Sequence, residues 1–375
     1  MALAAAYTGI FFFGISFIVL GSVLPAMRDS LALTQPQAAS LAGVLPMGVL
    51  AGSLVFGPWC DRYGYRVPFL TALLLIAAGL SGMSASGARM EWLFTCVGAI
   101  GMGGGMINGG TSALVSDVSR PEKSGPNMAI LGAFYGLGAL LMPAILGYFK
   151  EVPYTVILRY TAISVAIPLL VMGCVAYPMA KADRGYCFKD ALALLKSPIL
   201  WLFSAVLFFQ SALESLTSNW IPIFLQESPV YVYPQAQALY TLSCMMVGLI
   251  VCRLLLTYVL MHVSRYTVLW FTFCITAAGM LCLWTGLPAM PATFLIGFGL
   301  GATFPVLVSS IGQQFSSLSG TAIGMALVIA LAGNTLLNFL MAFIPITLFP
   351  VYLLGALLCE LILYKAATVK VIKNK

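Results

Sequence analysis

WLFTCVGAIGMGGGMINGGTSALV, from Trp92 to Val115, carries no charged residue over a length that crosses a hydrocarbon core. Eleven further apolar runs follow or precede it, four of them holding a single charged residue: Ala2 to Leu24, Ala38 to Phe56, Pro68 to Met83, Met128 to Tyr148, Tyr154 to Tyr177, Ile199 to Phe224, Ala236 to Tyr258, Val268 to Thr285, Ala292 to Ser309, Thr321 to Ile344 and Leu348 to Tyr364. The 375 residues are 61% hydrophobic and 8% charged, against about 25% charged in an ordinary soluble domain. No water-soluble surface can be built from them. Runs this apolar, long and numerous must satisfy their backbone groups as helices rather than as tilted barrel strands. The expectation is an all-α membrane protein of twelve transmembrane helices. The first run has no basic region before it, so no cleaved signal peptide is expected.

Lys and Arg set the orientation. With both ends on one side, that side carries Arg62, Arg66, Arg120, Lys123, Arg265, the basic residues of the segment after the sixth run and the tail KAATVKVIKNK. The other side carries only Arg28, Arg89, Lys150 and Arg159. Both termini are therefore expected in the cytoplasm, with the chain in the cell (inner or plasma) membrane. The net charge of +7 reflects this bias, since no basic patch interleaved with aromatics points to nucleic acid. The tail is placed near anionic headgroups of the bilayer. The nine cysteines and the lone His262 show no metal spacing and no nucleophile constellation. No cofactor, metal or catalytic residue is expected, and the absence of a nucleotide-binding loop argues against direct use of ATP.

The polar segment Met179 to Pro198 divides six runs from six. Across it, features recur at an offset of about 195 to 200 residues, as parallel repeats would produce. Gly48 answers to Gly248, Arg66 to Arg265, the glycines Gly101, Gly103 and Gly105 to Gly297, Gly299 and Gly301, and Gly125 to Gly320. The domains are read as residues 1–178, a linker 179–198, and 199–375: two pseudo-symmetric six-helix bundles. Gly101, Gly105 and Gly109 clear one face of the fourth helix, for close packing or for sliding as a pathway opens.

Polar groups inside the membrane carry the functional reading. An ionisable side chain near the bilayer centre costs about 2.5 to 3.5 kcal/mol on insertion scales. Glu214 lies mid-run in QSALESLTSNW, on one helical face with Gln210 and Ser218. Buried there, it is expected to have a raised proton affinity, and loading its proton would change which side the pathway faces. A sodium ion held by oxygens is the rival, and a protonated acid bonded between helices is the plain structural alternative. Asn108, Asn219, Asn334 and Asn338 add amides, and with Trp220, Phe134 and Tyr135 they fit a site that stacks aromatics on a polyhydroxylated ligand. Glu360 is read as an interfacial pair with Lys365. Asp117 and Glu122 are read as an ion network with Arg120 and Lys123, and Arg253 as snorkelling to the surface.

Between the second and third runs the chain reads Gly57-Pro58-Trp59-Cys60-Asp61-Arg62-Tyr63-Gly64-Tyr65-Arg66. Glycine permits the tight turn, and the carboxylate can dock on the positive N-terminus of another helix. This loop resembles that of the major facilitator superfamily, GxxxDRxGRR, departing where Tyr65 replaces a basic residue. The resemblance implies a conformational latch of Gly57, Asp61, Arg62, Gly64 and Arg66 that holds an outward-facing state. The second-half counterpart keeps Arg253 and Arg265 but has lost the acid.

Three stretches, Asn108 to Pro143, ALESLTSNWIPIFL (Ala212 to Leu225) and FPVLVSSIGQQFSSLSGTAIG (Phe304 to Gly324), are similar to the fucose and glucose/galactose permease branch. That resemblance implies a sugar:cation symporter working by alternating access, with Glu214 the acid of the seventh run and Asn108 a polar pathway residue of the fourth. Taken with the polar groups above, the residues expected at the substrate are Asn108, Tyr135, Gln210, Glu214, Asn219, Trp220, Asn334 and Asn338, with Glu214 reading the H+ or Na+ gradient. Partners are then a small solute, the coupling ion and lipid, with the chain working as a monomer. A drug or metabolite exporter of the same fold and a non-transporting receptor or scaffold remain open alternatives.

Overall fold

The computed structural model describes residues 1–33, 35–85, 89–148, 152–178, 194–341 and 343–373. Long helices account for nearly all of them: α1 (Ala2–Ser30), α2 (Gln35–Tyr63), α3 (Arg66–Ala85), α4 (Met90–Val118), α5 (Pro121–Tyr148), α6 (Tyr154–Ser164), α7 (Ala166–Cys174), α8 (Pro198–Glu227), α9 (Gln235–His262), α10 (Arg265–Trp284), α11 (Ala289–Leu300), α12 (Thr303–Gln314), α13 (Ser319–Met341) and α14 (Phe349–Lys373). Among the described residues, eleven stretches are long and apolar enough to cross a membrane. The expected fifth run lies on α5. Most of the linker expected at 179–198, with Lys181, Arg184 and Lys189, falls outside the described residues, as does Lys150.

Local chemistry sets the ends. Ser197 caps α8, accepting from the Leu200 N–H at 3.4 Å, with Pro198 at the first helical position. Ser264 caps α10 by accepting from the Thr267 N–H at 3.2 Å. Gly64 ends α2 with φ +80° and donates its N–H to the Cys60 carbonyl at 2.8 Å, a backbone state that glycine adopts without a Cβ penalty. Two of the expected spans are broken. The α6/α7 break falls at Val165, and the α11/α12 break at Gly301 and Ala302. Each lies three or four residues before a proline, Pro168 and Pro305, which removes an N–H donor and crowds the carbonyl four residues back.

The glycines decide which helices touch. A Cβ on Gly101 or Gly105 would meet the backbone of Leu45, Gly48 or Val49 on α2, and one on Gly103 would meet Ala72 on α3. Their counterparts repeat the arrangement: Gly297 and Gly301 lie against Met245 and Leu249 of α9, and Gly299 against Thr272 and Thr276 of α10. Small residues thus let backbones meet where no hydrophobic drive separates helix from lipid.

The chain forms two compact units. One comprises Met1–Ser119, Leu131–Leu192 and Gly312–Met325; the other comprises Arg120–Ile130, Ala193–Ile311 and Ala326–Lys375. The start of α13 therefore packs in the first unit, and the start of α5 in the second.

Candidate functional site

In the first unit, Asp61 is 1% exposed near the end of α2. A buried carboxylate needs donors, and Asp61 accepts from Thr321 N–H at 2.7 Å, Thr321 Oγ1 at 2.6 Å and Gly320 N–H at 3.3 Å. These groups form the first turn of α13, where the unsatisfied N–H groups and the positive end of the helix dipole lie. Gly57 permits the approach, because a Cβ there would stand 2.6 Å from the Gly320 carbonyl oxygen and 2.8 Å from Thr321 Cα.

A second carboxylate joins the same helix end. Asp117, at the end of α4, accepts from Ser319 Oγ at 2.5 Å and from the Tyr65 hydroxyl at 2.7 Å. The bonds described for Asp117 come from hydroxyls. Burial, then the neighbouring Cys60 and Asp117, push the Tyr65 phenol well above its usual range, so it stays a donor. Arg62 is exposed, with its guanidinium 5.1 Å from the Tyr63 ring centre, and Arg66 donates to the Val175 carbonyl at 3.3 Å. Ser319, Thr321, Asp117 and Tyr65 were not among the expected latch residues. Ser-Gly-Thr ahead of an apolar run is a readable helix start, but its carboxylate partners lie far away in sequence.

The other unit holds the intramembrane acid. Glu214 on α8 lies 3.5 Å from the guanidinium of Arg253 on α9, with side chains 29% and 5% exposed. Arg253 does not snorkel: it is buried against an acid, because a charge held among helices needs its counter-ion. Ser218 donates to the Glu214 backbone carbonyl at 2.7 Å rather than to its carboxylate. Gln210 is fully buried and donates to the Leu300 carbonyl at 2.8 Å, tying α8 to the break between α11 and α12.

One turn beyond Glu214 the expected amides meet. Asn338 Oδ1 accepts from Trp220 Nε1 and Asn219 Nδ2, both at 3.1 Å, while Asn338 Nδ2 donates to Ser215 Oγ at 2.9 Å and to the Asn334 carbonyl at 2.8 Å. Asn219, Trp220, Asn334 and Asn338 thus form one network, with Asn219 exposed at its edge. Ser215 completes it and was missed, although it lies four residues before Asn219 on the same helix.

Asn108 and Tyr135 belong to the first unit. Asn108 is half-buried on α4, and its carbonyl accepts from Ser112 Oγ at 2.9 Å. The Tyr135 ring stacks 5.5 Å from Phe13, and beside it Phe134 stacks on Tyr7 at 5.3 Å. A concavity of about 500 Å³, lined by Tyr240, Cys244 and Phe294 among others, holds none of these residues.

This fold is that of polytopic membrane transporters. FucP, the Escherichia coli fucose:proton symporter, solved in the outward conformation, superposes with a TM-score of 0.84 at 14% identity, covering 98% of each chain. The chain belongs to the Major Facilitator Superfamily, whose family profile matches residues 6–337. It is a transporter and not an enzyme. Among relatives, the glucose/mannose transporter GlcP of Bacillus subtilis is 23% identical over 331 residues, 82% of this chain and 80% of its own. A Bacillus subtilis protein described as a niacin/nicotinamide transporter is 30% identical over 131 residues, 35% of this chain, which spans about a third (32%) of that relative's length.

Proposed function

We propose that the protein is a secondary transporter that moves a small polar solute, preferentially a sugar, by alternating access coupled to a proton or sodium gradient. Two six-helix halves, 1–178 and 199–375, rock about a midplane site in the plasma membrane, with both termini cytoplasmic and one chain as the working unit. The observation that carries this reading is the Glu214–Arg253 pair one turn from the Asn219, Trp220, Asn334 and Asn338 network. A ligand hydroxyl can exchange with these amide bonds, and Trp220 offers a ring to its apolar face. Asn108 and Tyr135 are read as further contacts to the solute. The symport named for FucP and the sugars named for GlcP support the choice of solute.

The pair also defines what coupling requires. Protonating Glu214 removes the counter-ion of a buried guanidinium, so loading the ion changes the electrostatics of α8 and α9 together. Asp61 docked on α13, with Gly57, Gly64, Arg62 and Arg66 shaping the loop, holds the cytoplasmic side closed in this reading. Purified protein in liposomes, given an imposed proton or sodium gradient, is expected to accumulate a sugar. Glu214→Gln is expected to keep sugar counterflow and lose gradient-driven accumulation. Unchanged accumulation by that variant removes Glu214 from coupling, and no accumulation of any sugar removes the solute class.

A further inference from the structure

Glu360 lies inside α14, 0% exposed, and neither of its carboxyl oxygens has a hydrogen-bond partner among the described residues. The expected pairing with Lys365 does not form: Lys365 is exposed, and Glu360 turns into the helix packing. An unpaired carboxylate in an apolar interface is among the costliest groups a protein can bury, whereas its neutral acid is not.

Ionisable groups on the neighbouring elements are engaged elsewhere or too far to bond it. The helices packed most extensively on α14 are α8 and α10; α13, whose Leu337 carbonyl accepts from the Tyr352 hydroxyl of α14 at 3.0 Å, carries no ionisable group. On α8 these groups are Glu214, held by Arg253, and Glu227; on α10 they are Arg265, Tyr266, Cys274 and Cys282. Arg265 donates to the Pro121 carbonyl at 2.9 Å. Tyr266 stacks on Tyr364, one turn after Glu360, and Tyr364 also meets Phe273 at 5.5 Å and Trp270 at 6.4 Å. On α14 itself the neighbours are Cys359 and Lys365, both exposed.

We propose that Glu360 is a proton-binding site separate from Glu214, which holds its proton while α14 is packed on α8 and α10 and releases it to water when that packing opens. The packed arrangement and the ionised group exclude one another, so proton binding favours the packed state by linkage. The packed protein keeps a proton that an opened or unfolded chain gives up above the usual glutamate range of about 4.3. Stability contributed by this group is therefore full below about pH 4.3 and falls as pH rises above it.

The test compares full-length protein with Glu360→Gln, which keeps the shape and cannot ionise, both in a Glu214→Gln background so that Glu214 contributes nothing. Thermal unfolding between about pH 6 and pH 8 is expected to show the opening equilibrium of the parent rising up to about tenfold per pH unit relative to Glu360→Gln. Parallel pH profiles overturn the proposal. Should Glu360→Gln fail to fold, the infrared spectrum of the parent decides: a protonated carboxylic C=O band at neutral pH, lost in Glu360→Met, supports the site, and no such band overturns it. Neither result depends on transport, so failure here and failure of the coupling role of Glu214 are distinguishable.

Discussion

Asp61 accepts bonds from two backbone N–H groups and one hydroxyl on the first turn of α13. Hydrogen bonds to a charged group contribute about 1.5 to 3 kcal/mol. Asp61→Asn is expected to weaken docking by about 2 kcal/mol, roughly thirtyfold in the docked equilibrium. Cys60, 2% exposed beside it, is the reporter: its alkylation rate, read by mass spectrometry at that residue, should rise by a similar factor. An unchanged rate would show that the contact does not hold the loop. The Glu214–Arg253 pair makes an asymmetric prediction. Glu214→Gln strands the more buried, permanently charged guanidinium, and breaking such a pair costs about 3 kcal/mol or more. Arg253→Leu leaves a partly exposed acid that can take up a proton. Thermal unfolding in detergent should rank Glu214→Gln below Arg253→Leu, and equal losses would contradict this account.

At the scale of elements, glycine positions separate close contact from open space. Gly101 and Gly297 lie against backbone of a neighbouring helix, while a Cβ on Gly98 would meet only Val44 Cγ1 at 3.7 Å. Gly101→Ala and Gly297→Ala are expected to destabilise by about 1 to 3 kcal/mol through overpacking. Gly98→Ala is expected to be neutral or to stabilise by up to about 1 kcal/mol, since alanine is the better helix former. Matched melting curves for the three variants check this, and a similar loss at Gly98 would mean that the face as a whole, not the contact, is sensitive. The α6/α7 and α11/α12 breaks teach a related lesson. Both prolines were visible in otherwise continuous apolar runs, but hydropathy sees only polarity and reads straight through them.

For the whole molecule, the two compact units do not coincide with the stretches before and after the linker. Residues 312–325 pack with Asp61 and Asp117, and residues 120–130 with Arg265 and Ser309. Ser309 Oγ donates to Ser124 Oγ at 2.8 Å, and both are buried. Each linker-defined half thus lends a helix start to the other's partners. Fragments 1–178 and 199–375 expressed as separate chains are expected to co-purify. Asp61→Asn with Arg265→Ala should reduce recovery of the pair severalfold, and undiminished recovery would show that these contacts do not hold the fragments together.

The membrane-spanning all-helical fold was legible from composition and run length, because a chain without polar surface has few ways to satisfy its backbone. The glycine repeat was legible too, because a missing side chain is a local property that reports close approach. The Asn219, Trp220, Asn334 and Asn338 cluster could be gathered from residue type alone, since amides in an apolar run must find one another. Tertiary structure alone decided the partners of the charges. Arg253 goes to Glu214, Asp117 to Tyr65 and Ser319, and Glu360 to no described partner. Sequence spacing fixes which face of a helix a charge occupies, but the free energy of a buried charge depends on what the neighbouring helix brings to it, and that neighbour is distant in the chain.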